Sequence, residues 1–562
     1  MATTSPSGGR SAAPAFWPVI LAGFGLIAAF FVACNVVTEP QVTPTPTRTP
    51  RPPTATPTPI PSPTPTPAWP VRAGCAEPVP ADVCARLRDA VDQDPDHFAW
   101  SEDAAAAEVQ VGAAPLPNQR LFATWIYALV APFFTMEDGV SSDDLEATWT
   151  GEAAGPFAQH PLLVSADAQR ALPFGPPTGD VQVVEASQIL SKTIERDAWA
   201  IVPFGDLEPR WKVLRVDGAS PLDRELDVET YPLAVSVYLS TEERTDALPM
   251  LPGAFTNRDP ERMSVVMMTG VTALTRGTAR TMEREGVTYP AQDVRDWLIE
   301  PDITHISNEV SFAEDCPTPT AESTLVFCSD PSYFELLAYV DTDVLELTGN
   351  HLLDWGVSAM ENSLTLYEER DLPIFGGGWT LEEARQPLTL THGVHTFGFL
   401  GCNPIGPPYT WATAERPGAA SCDYDLLRTQ VRDLRDRGVI PIVTFQYWEF
   451  NQYAPTARQQ ADFRAMAEAG AAIVSGSQAH WPQGFDFHNG SFIHYGLGNL
   501  FFDQMQRIEY RQEFLDRHVF YNGRHVSTEL LTAMLEDYAR PRPMTAEERR
   551  ALLEATFAVS EW

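Results

Sequence analysis

Short apolar runs, each followed by small or polar residues, recur along residues 262–505. In one-letter code these runs are SVVMMTGVTAL, DVLELTGNH, HTFGFLGCN, VIPIVTFQYW, AAIVSGSQAH and FIHYGLGNL. They are apolar throughout and do not alternate between apolar and polar positions. Strands of that kind are typical of a sheet that is covered on both faces.

Two amphipathic stretches between these runs predict helices. Residues 423–437 are followed by Gly438, and residues 456–470 open with Thr456 and Gln459 at the capping-box spacing and close on Gly470. The apolar face predicted for the first helix consists of Leu426, Leu427, Val431 and Leu434. Strands that alternate with helices indicate an α/β fold, in which ligands bind beyond the carboxyl ends of the strands.

A smaller α/β domain is expected over residues 71–255. The runs at 199–203 and 212–216 predict two short strands that turn residues separate. The order of the segments AIVPF, WKVLRVDG and YPLAVSVYL resembles part of a periplasmic solute-binding protein of the phosphate or molybdate type. A structural spacer without a ligand is the alternative.

The last residues, 506–562, predict a helical extension. The segments TELLTAMLEDYA and MTAEERRALLEATF both read as helices. Thr545 and Glu548 have the spacing of a helix start. We assign no chemistry to this extension.

The first residues predict a membrane anchor followed by an extended linker. Residues 1–37 carry one charge, Arg10, ahead of an apolar stretch whose length suits a bilayer crossing. The sequence FVAC resembles a bacterial lipobox and implies lipidation of Cys34, with an uncleaved signal anchor as the alternative. Residues 38–70 are rich in proline and threonine and predict a polyproline II linker. Either anchor places the folded domains outside the cytoplasm, at the cell membrane.

Charge limits the classes of partner. Lys and Arg total 38 against 75 Asp and Glu, so the formal net charge of the 562 residues is −37. A surface of that sign repels nucleic acid, which we exclude as a partner. It also repels a bare polyanion unless a cation or a local basic groove intervenes.

Cysteine number and spacing agree with an exported chain. There are seven cysteines, and those other than Cys34 are Cys75, Cys84, Cys316, Cys328, Cys402 and Cys422. These lie close together in sequence two by two, which favours disulfides although the connectivity stays open. CxxC does not occur, so a zinc–thiolate site is not expected.

Chemically reactive side chains follow several of the predicted strands, and we call this set the rim. Its members are Asn308, Glu309, Asn350, His351, Asp354, Gln446, Glu449, Ser477, Gln478, His480, Asn499 and Asp503. Asp354 is equally compatible with a cap for the next helix. Imidazole, carboxylate and amide groups are those with which dinuclear phosphoesterases hold the ions that activate a nucleophile.

Four segments resemble, in chain order, the motifs of the CapA family of capsule and poly-γ-glutamate synthesis proteins. The segments are TGVTALTRG, YPAQDVRDWLIEPDITHISNE, ELTGNHLLDWG and IVSGSQAHWPQGFDFHNGSFIHYGLGNLFFDQ. The resemblance spans residues 262–505. It implies a metallophosphoesterase-like fold, which is a layered β-sheet sandwich flanked by helices, and a role in synthesis of a capsule or cell-envelope polymer.

The same resemblance implies roles for the rim. The implied metal ligands are Glu309, Asn350, His351 and His480, and the implied catalytic residues are His351 and His480. The residues expected to contact substrate are Asn308, Gln446, Ser477, Gln478 and Asn499. The cofactor is not identified, and one divalent metal ion is the candidate.

Four positions depart from the family pattern and argue against a two-ion site. Val271 stands in place of an aspartate, Gln446 in place of a histidine, and Ser477 and Gln478 in place of consecutive histidines. Valine does not bind metal, and serine and glutamine bind transition metals weakly. The rim then holds a single hard ion, or binds a saccharide or peptide through hydrogen bonds, or consists of satisfied core polar groups.

Three functions are compatible with these features. The first is an envelope hydrolase or transferase-like enzyme, and the second is a non-catalytic module that binds polymer, with Trp448, Trp481 and Tyr447 suited to stacking on sugar rings. The third is a sensor in which residues 71–255 capture a solute. We favour a membrane-anchored, CapA-like protein for synthesis, attachment or processing of a capsule or envelope polymer, and leave its enzyme status open.

Overall fold

The computed structural model describes residues 68–113, 116–320 and 325–562. They form several β-sheets with helices packed against them, a mixed α/β fold as predicted. The predicted anchor at 1–37, with Cys34, and nearly all of the linker at 38–70 lie outside the described residues. Within the described part, no helix combines the length and the apolar character that a bilayer crossing requires.

The first region builds one sheet of eleven strands with four helices. Its strands are Val71–Cys75 (β1), Phe98–Trp100 (β2), Val109–Gly112 (β3), Asn118–Pro132 (β4), Gly139–Val140 (β5), Leu162–Val164 (β6), Val181–Val183 (β7), Trp199–Pro203 (β8), Trp211–Val216 (β9), Ala234–Thr241 (β10) and Phe255–Thr256 (β11). Its helices are Ala81–Gln93 (α1), Ser142–Thr150 (α2), Ala166–Ala171 (α3) and Ile189–Arg196 (α4).

The long strand β4 joins the two halves of this sheet. Its residues up to Ile126 pair with β10, and its residues from Tyr127 onwards pair with β8 and β9. The two strands predicted at 199–203 and 212–216 are confirmed as β8 and β9. The solute-binding-protein resemblance and the domain boundaries stay predictions.

The second region contains the remaining strands and helices. Its strands are Met263–Thr269 (β12), Val271–Thr272 (β13), Ile303–Asn308 (β14), Val344–Glu346 (β15), Ile374–Phe375 (β16), Gly377–Gly378 (β17), Leu388–His392 (β18), His395–Cys402 (β19), Gly418–Ala419 (β20), Ile440–Phe445 (β21), Ile473–Ser475 (β22), Phe485–His488 (β23), Ser491–His494 (β24), Asn499–Phe501 (β25), Gln512–Tyr521 (β26), Arg524–Glu536 (β27) and Arg540–Pro543 (β28). Its helices are Arg276–Glu285 (α5), Arg295–Ile299 (α6), Phe334–Tyr339 (α7), Val357–Glu369 (α8), Leu381–Ala384 (α9), Tyr424–Asp436 (α10), Ala457–Ala469 (α11), Ile508–Arg511 (α12) and Ala546–Phe557 (α13).

Two large sheets of this region pack face to face. One has nine strands with the central order β16-β15-β14-β12-β26-β27-β28, and the other has six in the order β18-β19-β21-β22-β24-β23. Val266 and Met268 of β12 share an apolar core with Phe399 and Ile442 of the second sheet. Met267, between them, faces a separate core that helices α7 and α8 cover. Successive strand residues therefore face opposite cores, which explains why the runs are apolar at every position.

The first region is joined to this arrangement by a continuous core. Met263 and Val265 of β12 and Val519 and Tyr521 of β26 belong to the same apolar cluster as the first sheet. The described residues from 68 onwards accordingly form one compact unit.

The predicted helical extension is wrong for its first part. Residues of TELLTAMLEDYA lie in β27, which pairs along its length with β26 and so belongs to the nine-stranded sheet. Helix-favouring residues adopt a strand here because buried cross-strand pairing outweighs intrinsic propensity. The final helix is confirmed as α13, with a complete capping box between Thr545 and Glu548.

The two predicted amphipathic helices are confirmed. Helix α10 buries Leu427, Val431 and Leu434, but Leu426 is exposed and is not part of the predicted apolar face. Helix α11 begins with the predicted capping box at Thr456 and ends at Gly470, whose backbone is left-handed.

All six cysteines predicted to form disulfides do so. The bridges are Cys75–Cys84, Cys316–Cys328 and Cys402–Cys422. The close sequence pairs are thus the bonded pairs. Three bridges are consistent with an oxidising compartment.

Buried neutral histidines in the second region make stability depend on pH. Burial, with the neighbouring charges of His392 and Arg262, lowers the pKa of His395 to about 4, and burial lowers that of His525 to about 4. Unfolded histidines titrate near 6.5, so the stabilisation is complete above that pH and is lost as the pH falls toward 4.

We therefore expect the free energy of unfolding to fall between pH 6.5 and 4. Replacing His395 by glutamine removes one such group, and the fall should lessen by up to roughly 1.4 kcal/mol per pH unit. Guanidinium denaturation of both proteins at several pH values measures this difference. Parallel stability curves for the wild type and His395→Gln would contradict the assignment.

Candidate functional site

The carboxyl ends of parallel strands from both large sheets meet at one edge. In the nine-stranded sheet, β13 runs parallel to β14 and β25, and β14 runs parallel to β15. Ser477, just after β22 of the other sheet, donates a hydrogen bond to Glu346 of β15. Gln478 donates one to Ser307 of β14. These two bonds cross between the sheets and bring the rim residues together.

Glu309 lies at the centre of the rim without a hydrogen-bond partner in the described chain. It follows β14 directly and is 1% exposed, and both of its carboxylate oxygens are buried and unbonded. Gly349 passes so close that a Cβ there would come 2.7 Å from the Cα of Glu309. Burial raises the pKa of Glu309, and the nearby His351 and His480 oppose that shift.

His351 is held beside Glu309 in a fixed orientation. Its Nδ1 lies 2.6 Å from Oδ2 of Asp354, and its Nε2 lies 3.7 Å from Oε1 of Glu309. The ring of Phe327 packs against it with ring centroids 4.1 Å apart. Burial alone would lower the pKa of His351, but the hydrogen bond to Asp354 and the charge of Glu309 outweigh it and raise the pKa.

His480 has a similar arrangement on the other side of the rim. Its Nδ1 lies 2.7 Å from Oδ1 of Asn499, and its Nε2 lies 3.6 Å from Oε1 of Glu449. Its ring stacks on Phe502 at 5.2 Å. In both histidines Nδ1 is anchored and Nε2 points toward a carboxylate, which is the orientation seen when a second group fixes a ligating or catalytic imidazole.

Three amide side chains of the rim carry polar atoms without partners among the described residues. These atoms are Oδ1 of Asn350, Oε1 and Nε2 of Gln446 and Oε1 of Gln478. Gln446 and Gln478 are fully buried. Buried amides normally find partners, so these atoms mark a place where a ligand can complete the hydrogen bonding.

Four of the five predicted contact residues are already bonded within the fold. Gln478 and Asn499 make the bonds given above, and Asn499 also donates to the carbonyl of Tyr510. The amide nitrogen of Asn308 donates to the carbonyl of Val310 at 2.9 Å and to the hydroxyl of Tyr367 at 3.0 Å. Ser477 is bonded to Glu346, which also contacts His305. Asn308 and Ser477 stabilise the strand ends in this structure, and their contact with substrate stays a prediction.

Comparison with known proteins supports the resemblance seen in the sequence. Residues 265–504 match the family of the bacterial capsule synthesis protein PGA_cap. The capsule biosynthesis protein CapA of Bacillus anthracis is 24% identical over 314 residues, which are 54% of this chain and 75% of that protein. The PGA biosynthesis protein CapA of Bacillus subtilis (strain 168) is 28% identical over 172 residues, or 30% of this chain. Residues 265–504 are therefore a CapA-family region of this chain.

The match to these CapA relatives is partial. It covers three quarters of the Bacillus anthracis protein and 45% of the Bacillus subtilis one. Among solved structures, an ABC-type phosphate transport receptor from Vibrio cholerae aligns with a TM-score of 0.26 and 12% identity over 32% of this chain and 89% of that chain. A score at that level assigns neither fold nor ligand.

The rim of this CapA-family region does not fit a two-ion centre. Across residues 68–113, 116–320 and 325–562, no group of three or more His, Cys, Asp or Glu side chains is arranged to hold a metal ion. Val271 lies in β13 with its side chain in the interior, and Gln446 offers a neutral amide. The rim donors without a hydrogen bond among the described residues include both carboxylate oxygens of Glu309 and Oδ1 of Asn350.

The role of Asp354 and the presence of Glu346 at the site are not predicted from the sequence. Asp354 is a predicted rim residue with a helix cap as the alternative; Gly356 occupies the cap position of α8, and Asp354 orients His351. Glu346 was read only as part of an apolar run. A carboxylate inside such a run was the available signal, because a buried charge requires partners.

The aromatic residues predicted for stacking differ in accessibility. Trp448 is 37% exposed, whereas Trp481 is 6% and Tyr447 is 3% exposed. Trp448 is thus the most exposed of these three, although the guanidinium of Arg458 lies over its ring, 4.9 Å from the centroid.

The unpaired carboxylate of Glu309 should cost stability. We expect Glu309→Gln to raise the free energy of unfolding at pH 8 by roughly 1–3 kcal/mol, since it removes a buried charge that no hydrogen bond stabilises. Chemical denaturation measures the change, with the exposed Glu468→Gln as the matched control expected within about 0.5 kcal/mol of wild type. A less stable Glu309→Gln protein would show that His351 already compensates the charge.

Proposed function

We propose that this CapA-family protein is anchored to the cell membrane with its folded domains outside the cytoplasm, and that it acts in synthesis, attachment or processing of a capsule or cell-envelope polymer. We further propose that its rim binds a segment of that polymer through hydrogen bonds, without a two-ion centre. The names of the relatives support the polymer, and the three disulfides support the compartment.

The observation that carries this proposal is the set of buried, unbonded polar atoms at the rim. Glu309, Asn350, Gln446 and Gln478 each hold at least one. Leaving a buried polar group unbonded costs roughly 1–3 kcal/mol, which a ligand with matching donors and acceptors offsets on binding. A fold that keeps several such atoms at one edge is suited to a polar ligand.

The chemistry of the rim favours hydroxyl and amide groups in the polymer. Glutamine and asparagine side chains offer both donors and acceptors, which match sugar hydroxyls or the amide bonds of a polyglutamate backbone. The net charge of −37 and the carboxylate of Glu309 oppose a polymer segment with closely spaced free carboxylates. Trp448 adds a partly exposed ring, on which a sugar would stack opposite or in place of Arg458.

A second candidate function is hydrolysis assisted by one divalent ion. The orientation of the two histidines favours it, because each presents Nε2 toward a carboxylate while Nδ1 is anchored. Glu309, Asn350 and His480 would hold the ion, which would polarise a phosphoryl or carbonyl oxygen of the substrate. His351, held by Asp354, would then move a proton at its Nε2.

Calorimetric titration of the full chain distinguishes these functions. The probes are γ-glutamyl oligomers and a neutral glucan oligomer, each with and without EDTA. We expect binding of at least one probe to persist in EDTA and to weaken about tenfold in Gln446→Ala, which corresponds to one lost pair of hydrogen bonds. The exposed Gln93→Ala is the matched control and should bind as wild type does.

Two results would overturn the metal-free proposal. Binding that EDTA abolishes, together with one equivalent of metal in the purified chain and its loss in His480→Ala, would establish the second candidate. Failure of both probes to bind in either condition would exclude both polymers as ligands of the rim.

A further inference from the structure

Asp354 is the common acceptor for three groups at the rim. Its Oδ2 accepts hydrogen bonds from Nδ1 of His351 at 2.6 Å and from the backbone N–H of Phe327 at 3.1 Å. Its Oδ1 accepts one from the hydroxyl of Tyr409 at 3.2 Å. The Asp354 side chain is 2% exposed. With both oxygens engaged, the carboxylate cannot rotate without breaking a bond, so it fixes the ring of His351.

Disulfide-closed loops bring the other two donors to Asp354. Phe327 directly precedes Cys328, which is bonded to Cys316, and Tyr409 lies between the bonded Cys402 and Cys422. The two loops come from different parts of the chain and reach the same carboxylate. Closing a loop removes many of the alternative conformations that would carry a donor away from its acceptor.

Further contacts tie each loop to the strand ends that form the rim. In the second loop, Asn403 donates to the carbonyl of Thr348, two residues before Asn350, at 3.0 Å, and accepts from the backbone N–H of Gly406 at 2.8 Å. At the start of the first, the indole nitrogen of Trp355, next to Asp354, donates at 2.8 Å to Asp315, which directly precedes Cys316. The loops are therefore built into the site and do not merely lie near it.

His351 is restrained from two directions as a result. Asp354 holds its Nδ1, and the ring of Phe327, 4.1 Å away between centroids, covers its face. The remaining nitrogen, Nε2, is left facing Glu309 at 3.7 Å. Loss of either restraint would let the imidazole turn away from Glu309.

We propose that Phe327 and Tyr409 are positioning residues for His351, and that the Cys316–Cys328 and Cys402–Cys422 disulfides are required to keep them in place. The rim is then assembled only in chains in which both bridges have formed, that is, after export to an oxidising compartment. The importance of His351 for a ligand rests on the proposed function, but its positioning does not. The position of His351 at the rim would thus depend on oxidation of these four cysteines to disulfides.

The third disulfide provides a matched control. Cys75–Cys84 joins β1 to α1 in the first region and closes a shorter loop, with a sequence separation of 9 against 12 and 20 for the other two. Its removal changes the number of disulfides without touching the loops that reach Asp354.

The test uses the full chain with isotope-labelled histidine. Nuclear magnetic resonance, recorded at a pH raised until the signals of the neutral imidazole no longer change, reports which ring nitrogen carries the proton, and His351→Gln identifies the signal. We expect the wild type to hold the proton on Nδ1, because Asp354 accepts it there. The variants Cys402→Ser/Cys422→Ser and Tyr409→Phe should give a mixture of both forms, and Cys75→Ser/Cys84→Ser should keep the wild-type signal.

Affinity for the polymer probe that binds wild type is the second readout. We expect about a tenfold loss in Cys402→Ser/Cys422→Ser and no change in Cys75→Ser/Cys84→Ser. The histidine signal does not require a ligand, so it tests the positioning even if neither probe binds and the proposed function fails. If Cys402→Ser/Cys422→Ser does not fold, the histidine signal of Tyr409→Phe tests the proposal instead. That variant removes one hydroxyl and keeps the ring. A wild-type His351 signal in a folded Tyr409→Phe protein and in a folded double-serine protein would overturn the proposal.

Discussion

The face-to-face packing of two sheets is the constraint on which the rim depends. Val266 and Met268 from one sheet and Phe399 and Ile442 from the other share one apolar core, and this contact sets the distance between the sheets. The parallel strands then end at a common edge, where hydrogen bonds between the sheets link them. A rim residue takes its position from this packing more than from its own loop, because the loops start and end on the strands.

The site combines rigidly held histidines with buried polar groups that lack hydrogen bonds. His351 and His480 are each anchored through Nδ1 and packed against a phenylalanine ring, whereas Glu309 and Gln446 lack hydrogen bonds among the described residues. Such a combination lowers stability and favours binding, since the ligand supplies the missing partners.

Much of the second region could be predicted because its signals are local. Apolar runs marked the strands, and Thr456 with Gln459 and Thr545 with Glu548 marked two helix starts. The strand β27 could not be predicted, since its leucines, alanine and glutamates favour a helix in isolation and only pairing with β26 makes it a strand. Leu426 is a second example. The apolar pattern predicts helix α10 correctly, but it does not specify how wide the buried face of that helix is, and Leu426 is exposed.

Residue type and order were enough to identify strands, candidate ligands, disulfide-forming cysteines and the family, because these depend on neighbours in the chain. Which carboxylate orients His351, which amides stay unbonded and which loops meet at Asp354 depended on contacts between residues far apart in sequence. Hydrogen bonds act over about 3 Å, and no one-dimensional pattern specifies which distant groups come that close. The packing of the two sheets determines which of these distant groups come within hydrogen-bonding distance.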